Sequence, residues 1–303
     1  MSKPKPLTIA EFTVQFPTDD ACLNHLMRVR FGNRLACRRC GKEATYYRVK
    51  ARRCYECEYC AFQVYPTAGT PFEKTRTPLK DWYYVMFLFC ASRNGVAAKE
   101  VQRQIGVTYK CAWRMCHEIR KYMGTVDGDY PMGGPTFGRG IVEVDKTFIG
   151  GKRALTEPDN KTVVLGMIER GHHVLTRVVP HRGSKAVLPH IAKWVKPKSM
   201  VASDEAKAFM GLSELGYFHE TVNHGKYEYV RGEVHTNTIE AFWSTLKRGI
   251  KGTYVSVSQK HLQKYLWEFE YRYNHRKRAH SMFDWLVVAF AWACPVPSRK
   301  VAG

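Results

Sequence analysis

The stretch Ile141-Val-Glu-Val-Asp-Lys-Thr-Phe-Ile149 alternates apolar and polar side chains, the pattern of a β-strand with one face in a core. The alternation places Glu143, Asp145 and Thr147 together on one face. Ionised side chains are rare inside strands without a partner or a task. Working outward, Gly150-Gly151 reads as a hairpin turn, Val163 to Ile168 as a second strand and Val174 to Val179 as a third. Lys185 to Val195 predicts a helix, Met200-Val-Ala-Ser203 a short fourth strand ending at Asp204, and Glu205 to Leu215 another helix. A meander of three strands followed by helix, strand and helix is an α/β domain. It sets Asp145 and Asp204 side by side in one sheet.

Downstream, Val234-His-Thr-Asn-Thr-Ile-Glu-Ala-Phe-Trp-Ser-Thr-Leu-Lys-Arg-Gly-Ile250 has helical spacing. Ile239, Phe242, Leu246 and Ile250 form an apolar seam, and Glu240, Ser244, Lys247 and Lys251 a polar stripe beside it. A capping box with Asn237 as N-cap and Glu240 at the third helical position accounts for the glutamate but not for Lys247. The order of elements is that of an RNase H-like domain, whose three carboxylates, Asp145, Asp204 and Glu240, converge at the sheet's edge. Such a cluster suits hard cations: two Mg2+ (or Mn2+) ions that activate a water or 3′-hydroxyl at a DNA phosphate. Lys247 is placed to anchor the reacting strand.

The 303 residues carry a formal charge of +21 and a pI near 9.6, which predict a polyanionic partner, DNA before an acidic membrane surface. The longest apolar run, Met282 to Val296, is broken by Asp284 and reads as a core helix, not a membrane span. No apolar segment follows the N-terminal lysines, so no secretory signal is expected. These features predict a cytoplasmic, nucleoid-associated protein with no membrane role, whose ten cysteines stay reduced.

Cys37-Arg-Arg-Cys40 and Cys57-Glu-Tyr-Cys60 are two CxxC pairs sixteen residues apart. Two thiolates held by each tight turn make a closed four-thiolate site for structural Zn2+, and the ion replaces a core that so short a segment lacks. Cys54 with Cys57 is a rival second pair. Between Arg28 and Arg53 lie ten basic residues and one acidic one, so Arg38, Arg39, Arg52 and Arg53 are expected to contact DNA. Near the N-terminus, Thr8 and Glu11 are spaced as a capping box.

After a linker with Pro66, Gly69, Pro71 and Pro78, the residues Trp82, Val85, Met86 and Phe89 form a helical seam. A short segment from Ala97 to Ile105, a turn at Gly106 and a longer helix from Thr108 to Met123 read as a helix-turn-helix. Its second helix carries Tyr109, Lys110, Arg114, Arg120 and Lys121, suited to groove and phosphate contact. The expected organisation is a lead-in and zinc ribbon over 1–70, a helix-turn-helix domain over 71–124, a catalytic domain over 138–280 and an aromatic tail over 281–303. Phe283, Trp285, Phe290 and Trp292 of the tail are expected to pack against the catalytic domain, with a dimer contact as the alternative.

The chain resembles a DDE transposase of a bacterial insertion sequence, of the group with an N-terminal zinc ribbon. The resemblance rests on the cysteine pairs followed by Thr67-Ala-Gly-Thr70 and Pro78-Leu-Lys-Asp-Trp82. It continues through Val142-Glu-Val-Asp145, Gly150-Gly-Lys152, Ser203-Asp204, His235-Thr-Asn-Thr-Ile-Glu240 with Lys247-Arg248, and Tyr271-Arg-Tyr-Asn-His275. It implies an RNase H-like catalytic domain using Asp145, Asp204, a third ligand and Lys247. Members of the group carry asparagine or glutamate at the third position, and Asn237 and Glu240 both occupy the motif here. The seven-residue spacing to Lys247 favours Glu240. The resemblance further implies metal-dependent cleavage and strand transfer at terminal inverted repeats, by a homodimer or higher oligomer that holds element ends and target DNA. Arg248 and Lys251, beside Lys247, are expected to touch that DNA. Two other readings are a DNA-binding regulator with an inactive catalytic domain, and a junction or hybrid nuclease on the same fold. The zinc module and helix-turn-helix disfavour the nuclease, since they serve sequence recognition.

Overall fold

The computed structural model describes residues 5–134, 140–150, 161–204, 207–222 and 235–292. The chain divides into two compact units: Met1–Ser92 with Val96–Gly128 and Lys277–Gly303, and Arg93–Gly95 with Asp129–Arg276.

The first unit opens with α1 (Ile9–Gln15), where the capping box of Thr8 and Glu11 is present as expected. α2 (Asp19–Phe31) buries Cys22, Leu23, Leu26 and Met27. Two small antiparallel sheets follow. One pairs β1 (Leu35–Ala36) with β2 (Glu43–Ala44), and the other joins β3 (Tyr46–Val49), β4 (Cys54–Cys57) and β5 (Gln63–Val64). α3 (Leu79–Ala91) buries the seam of Trp82, Val85, Met86 and Phe89. α4 (Ala98–Ile105) ends at Gly106, whose φ of 69° suits a residue without a side chain. The Thr108 hydroxyl then accepts the Cys111 N–H and starts α5 (Tyr109–Asp127).

In the second unit, β6 (Val142–Ile149), β7 (Thr162–Glu169) and β8 (Val174–Val179) form the expected antiparallel meander. Gly151 and Lys152 of the hairpin lie outside the described residues. α6 (Ser184–Trp194) leads into β9 (Met200–Asp204), which runs parallel to β6. The α-helix expected from Glu205 to Leu215 is instead a 3-10 helix over Lys207–Leu212, with residue 205 outside the described residues. Gly211 weakens the helical pattern there. A strand that the pattern did not announce, β10 (Phe218–Val222), pairs parallel with β9. Its Phe-His-Glu-Thr-Val sequence has three polar side chains running together, and Phe218 is exposed. The sheet order is β10-β9-β6-β7-β8, with β7 alone running against the rest. That is the RNase H-like arrangement. α7 (Asn237–Gly249), a π-helical turn over Ile250–Tyr254 and α8 (Gln259–Asn274) follow.

One face of the sheet packs Val142, Val144 and Leu165 against Val187, Ile191 and Phe209. The other packs Val164 and Ile168 against Ile239, Trp243, Leu246 and Leu266. β8 is an edge strand, and α8 satisfies its backbone with side chains. The N–H groups of Val174, Thr176 and Val178 donate to Asn274 Oδ1 (2.7 Å), Glu270 Oε1 (2.7 Å) and Gln263 Oε1 (3.0 Å). The amides of Asn274 and Gln263 donate back to the carbonyls of Val174 and Thr176, each at 3.0 Å. A closed edge offers no template for pairing with another strand.

α9 (Met282–Trp292) belongs to the first unit, where it packs on α2, α3 and α5. Phe283 meets Phe12, Phe16 and Tyr83, and Phe290 meets Phe72, Trp82 and Tyr122. This corrects the expectation that the aromatic tail packs on the catalytic domain. A helix apolar nearly all round marks itself as buried without saying in which core. Residues 293–303 lie outside the described residues. No helix among the described residues is long and apolar enough to cross a membrane.

Replacing Asn274 with Ala removes both of its bonds to Val174 and should lower stability by about 1–3 kcal/mol. Urea unfolding checks this. An unchanged midpoint in both Asn274→Ala and Gln263→Ala means that the side-chain ladder contributes nothing to the fold.

Candidate functional site

β6 and β9 pair at Val144 and Ser203, and one residue further each strand reaches its aspartate. Gly166 on β7 lies opposite Asp145 in the antiparallel register. A Cβ at Gly166 would come within 2.4 Å of Trp243 Cζ2 and 2.9 Å of Ile239 Cδ1. The missing side chain therefore lets α7 settle on the sheet with its indole against β7. From there Trp243 Nε1 donates to Asp145 Oδ2 at 2.9 Å, while the Lys146 N–H donates to Oδ1 at 2.7 Å. The Thr236 hydroxyl donates to Glu240 Oε1 at 2.7 Å. A cleft of about 480 Å³ results, lined by Asp145, Asp204, Glu240 and Lys247, with Lys146, Thr147, Thr236, Trp243 and Ser244 between them.

Asn237 is the first residue of α7, is exposed, and is not among the lining residues. The expected capping box is corrected: the N-cap is Thr236, with no side-chain cap bond, and Glu240 falls one position beyond the third. Val234 lies outside the described residues.

Burial drives the Asp145 carboxyl up to about 6. The carboxylates of Asp204 and Glu240 push the same way, against hydrogen bonds from Lys146 and Trp243 that lower it. Carboxylates that repel one another around an open cleft fit a hard divalent cation, whose charge removes the repulsion. Asp145, Asp204 and Glu240 are the oxygen donors in place to hold it.

Sequence reasoning placed Glu143 on the Asp145 face and gave it no role. Its side chain is fully buried, and its carboxylate accepts from Thr238 Oγ1 (2.8 Å) and the Ile239 N–H (2.9 Å) at the start of α7. Arg170 Nε donates to it at 2.6 Å, and His235 Nδ1 stands 3.2 Å away. A strand carboxylate thus does the work of a helix cap, with the helix dipole in its favour. The signal available was a second carboxylate two residues before Asp145, on the same face of the strand.

In the first unit, the sulfurs of Cys37, Cys40, Cys57 and Cys60 all lie within 4.8 Å of one another. Cys37 and Cys60 are 3.5 Å apart, and Cys40 and Cys57 3.9 Å. A tetrahedron with metal–sulfur bonds of about 2.3 Å has edges of about 3.8 Å, so the four thiols fit a structural zinc ion. Cys54 is buried outside this group, so Cys60 completes the set.

The profile of an ISXO2-like transposase domain matches residues 138–274, and that of a transposase zinc-ribbon domain matches residues 17–63. A protein of transposable element ISH50 from Halobacterium salinarum is 26% identical over 282 residues, covering 85% of this chain and 91% of its own. A transposase-like protein from Haemophilus influenzae is 32% identical over 101 residues, 33% of this chain and 80% of its own. The chain belongs to the zinc-ribbon DDE transposases of insertion sequences.

Within this transposase the basic side chains divide by surroundings. Arg38, Arg39 and Arg52 are exposed on the ribbon, whereas Arg53 pairs with Asp19 at 3.0 Å and Arg48 with Asp20 at 2.9 Å, tying the ribbon to α2. Lys110 and Arg114 are exposed on α5, with the Arg114 guanidinium 5.6 Å over Trp82. Arg120, expected to be suited to DNA contact like them, is instead 1% exposed and donates to the Val96 carbonyl at 3.1 Å. Six residues on from Arg114 it lies roughly 240° around the helix, toward the core. Lys247, Arg248 and Lys251 are exposed at the end of α7 and just beyond it.

Two outcomes follow from these contacts. Cys60→Ser should lose the zinc, as Cys37→Ser should, while Cys54→Ser keeps it; metal analysis of the purified proteins decides. Glu143→Gln sets an amide against the donors at the start of α7. It should cost about 2 kcal/mol, measured by urea unfolding, because one partner of a buried charged network is lost.

Proposed function

We propose that this transposase binds the terminal inverted repeats of an insertion sequence and carries out Mg2+-dependent strand cleavage and strand transfer. The observation that supports this most directly is the gathering of Asp145, Asp204, Glu240 and Lys247 from two strands and a helix around one cleft. When bound there, divalent cations would supply positive charge to the phosphate oxygens and acidify an attacking water or 3′-hydroxyl. The protein's own part is positioning. Trp243 and the Lys146 N–H orient Asp145, and Thr236 orients Glu240. Lys247, two helical turns from Glu240, holds a phosphate of the reacting strand as a point charge. That Glu240 lines the cleft and Asn237 does not supports Glu240 as the third ligand. An inactive regulator has no need for this complete constellation.

End recognition falls to the exposed basic residues of the zinc ribbon and to α5, the second helix of the helix-turn-helix, through Lys110 and Arg114. A reaction that joins two ends to one target calls for a dimer or higher oligomer on DNA.

The test uses duplexes that carry the inverted repeats flanking the gene. Asp145→Ala, Asp204→Ala and Glu240→Ala should each lose cleavage and transfer while still binding the ends. Asn237→Ala should remain active. A dead but folded Asn237→Ala beside a working Glu240→Ala moves the third ligand to Asn237. The affinity for Mg2+, measured by titration calorimetry, should also fall as pH drops through about 6, because a protonated Asp145 no longer offers charge to a cation.

A further inference from the structure

Lys146 follows Asp145 on β6, and strand alternation turns it to the opposite face of the sheet. There it continues the row of Val142 and Val144, which pack in the core with Val187 and Phe209. Its ammonium stands 4.5 Å over the ring of Phe209, a fully buried side chain. Lys146 nonetheless lines the same cleft as Asp145, Asp204, Glu240 and Lys247. Among the described residues it makes no ion pair. A lysine beside three carboxylates pairs with one of them unless something holds it away, and the face of an aromatic ring does so. Its charge is thereby left for an anion.

We infer that Lys146 is a second phosphate-binding residue of the cleft, and that it grips the target strand while Lys247 grips the element end. The inference rests on the transposase reading above. Strand transfer brings two DNA strands to one carboxylate cluster, with the attacking and leaving oxygens on opposite sides of the phosphorus. The 3′-hydroxyl oxygen of the element end bonds to a target phosphorus, and the target's own P–O3′ bond breaks. The proton leaves the attacking hydroxyl, and one is taken up by the departing 3′-oxygen, so phosphodiester bonds and charge balance with no further reactant. Lys247 projects from α7, which covers the Asp145 face. Lys146 comes from the other face. Cations on opposite walls match two strands arriving from opposite sides.

The experiment compares full-length wild type, Lys146→Gln and Lys146→Arg. One assay measures cleavage of intact repeat ends. The other measures transfer of pre-cut ends, with a free 3′-hydroxyl, into supercoiled plasmid. Lys146→Gln should raise the KM for plasmid by on the order of ten-fold more than it impairs cleavage, and Lys146→Arg should recover most of that loss. Lys146→Met, which keeps an unbranched stem on Phe209, should show the same split, with thermal unfolding confirming that it folds. Equal losses in both assays, or no loss in either, overturn the assignment. A wild-type chain that cuts no end overturns the transposase reading, and this inference with it.

Discussion

The buried carboxylate of Glu143 accepts the Ile239 N–H and the Thr238 hydroxyl, and this contact decides where α7 lies. A helix start leaves backbone donors without intrahelical partners, and the N-cap side chain of Thr236 satisfies none of them here. β6 supplies the missing acceptor, so the helix is pinned to the strand that carries Asp145. Ile239 is followed directly by Glu240, and Trp243 comes one turn later. The register that satisfies the cap therefore also delivers Glu240 to the cleft and the indole to Asp145. Gly166 completes the arrangement from β7, because any side chain there collides with Trp243 and Ile239.

Carboxylates on neighbouring positions have opposite fates, and their partners tell them apart. Glu143 sits among donors from Arg170 and α7. Glu268 takes the Tyr254 hydroxyl and an Arg272 guanidinium, and Glu270 takes the Thr176 N–H on the edge strand. Glu143 and Glu268 are each compensated by a guanidinium within the protein, whereas burial still pushes the Glu270 carboxyl up to about 7. Asp145, Asp204 and Glu240 instead face one another across an open cleft. A buried glutamate tied to α7 or α8 builds the domain; carboxylates gathered on an open cleft suit a cation.

Much of this was legible in the sequence, because period-two strands around Asp145 and helical spacing around Glu240 are local patterns. The CxxC pairs were legible as well, and only the choice of Cys60 over Cys54 needed coordinates. What escaped depended on non-local contacts. β10 has no apolar alternation, since its side chains are largely polar and Phe218 stays exposed. Arg120 is the exception, since the phase of α5 that turns it into the core is itself a local pattern. α9 is apolar enough for any core, so its sequence could not choose between the two units. The cap on α7 comes from a residue 96 positions away, and no local capping rule can find it.

The cleft is held together against its own electrostatics. A carboxyl raised to about 6 in the folded state resists ionisation there more than it does in the unfolded chain. For an acid with a raised value, that penalty is absent below about pH 4. It grows as pH climbs to about 6 and then stays, at on the order of 2–3 kcal/mol for a shift of this size. The fold thus gives up stability at neutral pH to keep Asp145, Asp204 and Glu240 together. The cap at Glu143, the indole seated over Gly166 and the closed edge at β8 are the compensation that keeps the sheet and α7 in place. A divalent cation removes the repulsion at its source, so binding it and stabilising the domain are one event. The same reasoning explains why Lys146 rests on an aromatic ring and not on a carboxylate. A lysine salt-bridged into the cluster would relieve the repulsion itself, and would weaken the hold on both the cation and the phosphate.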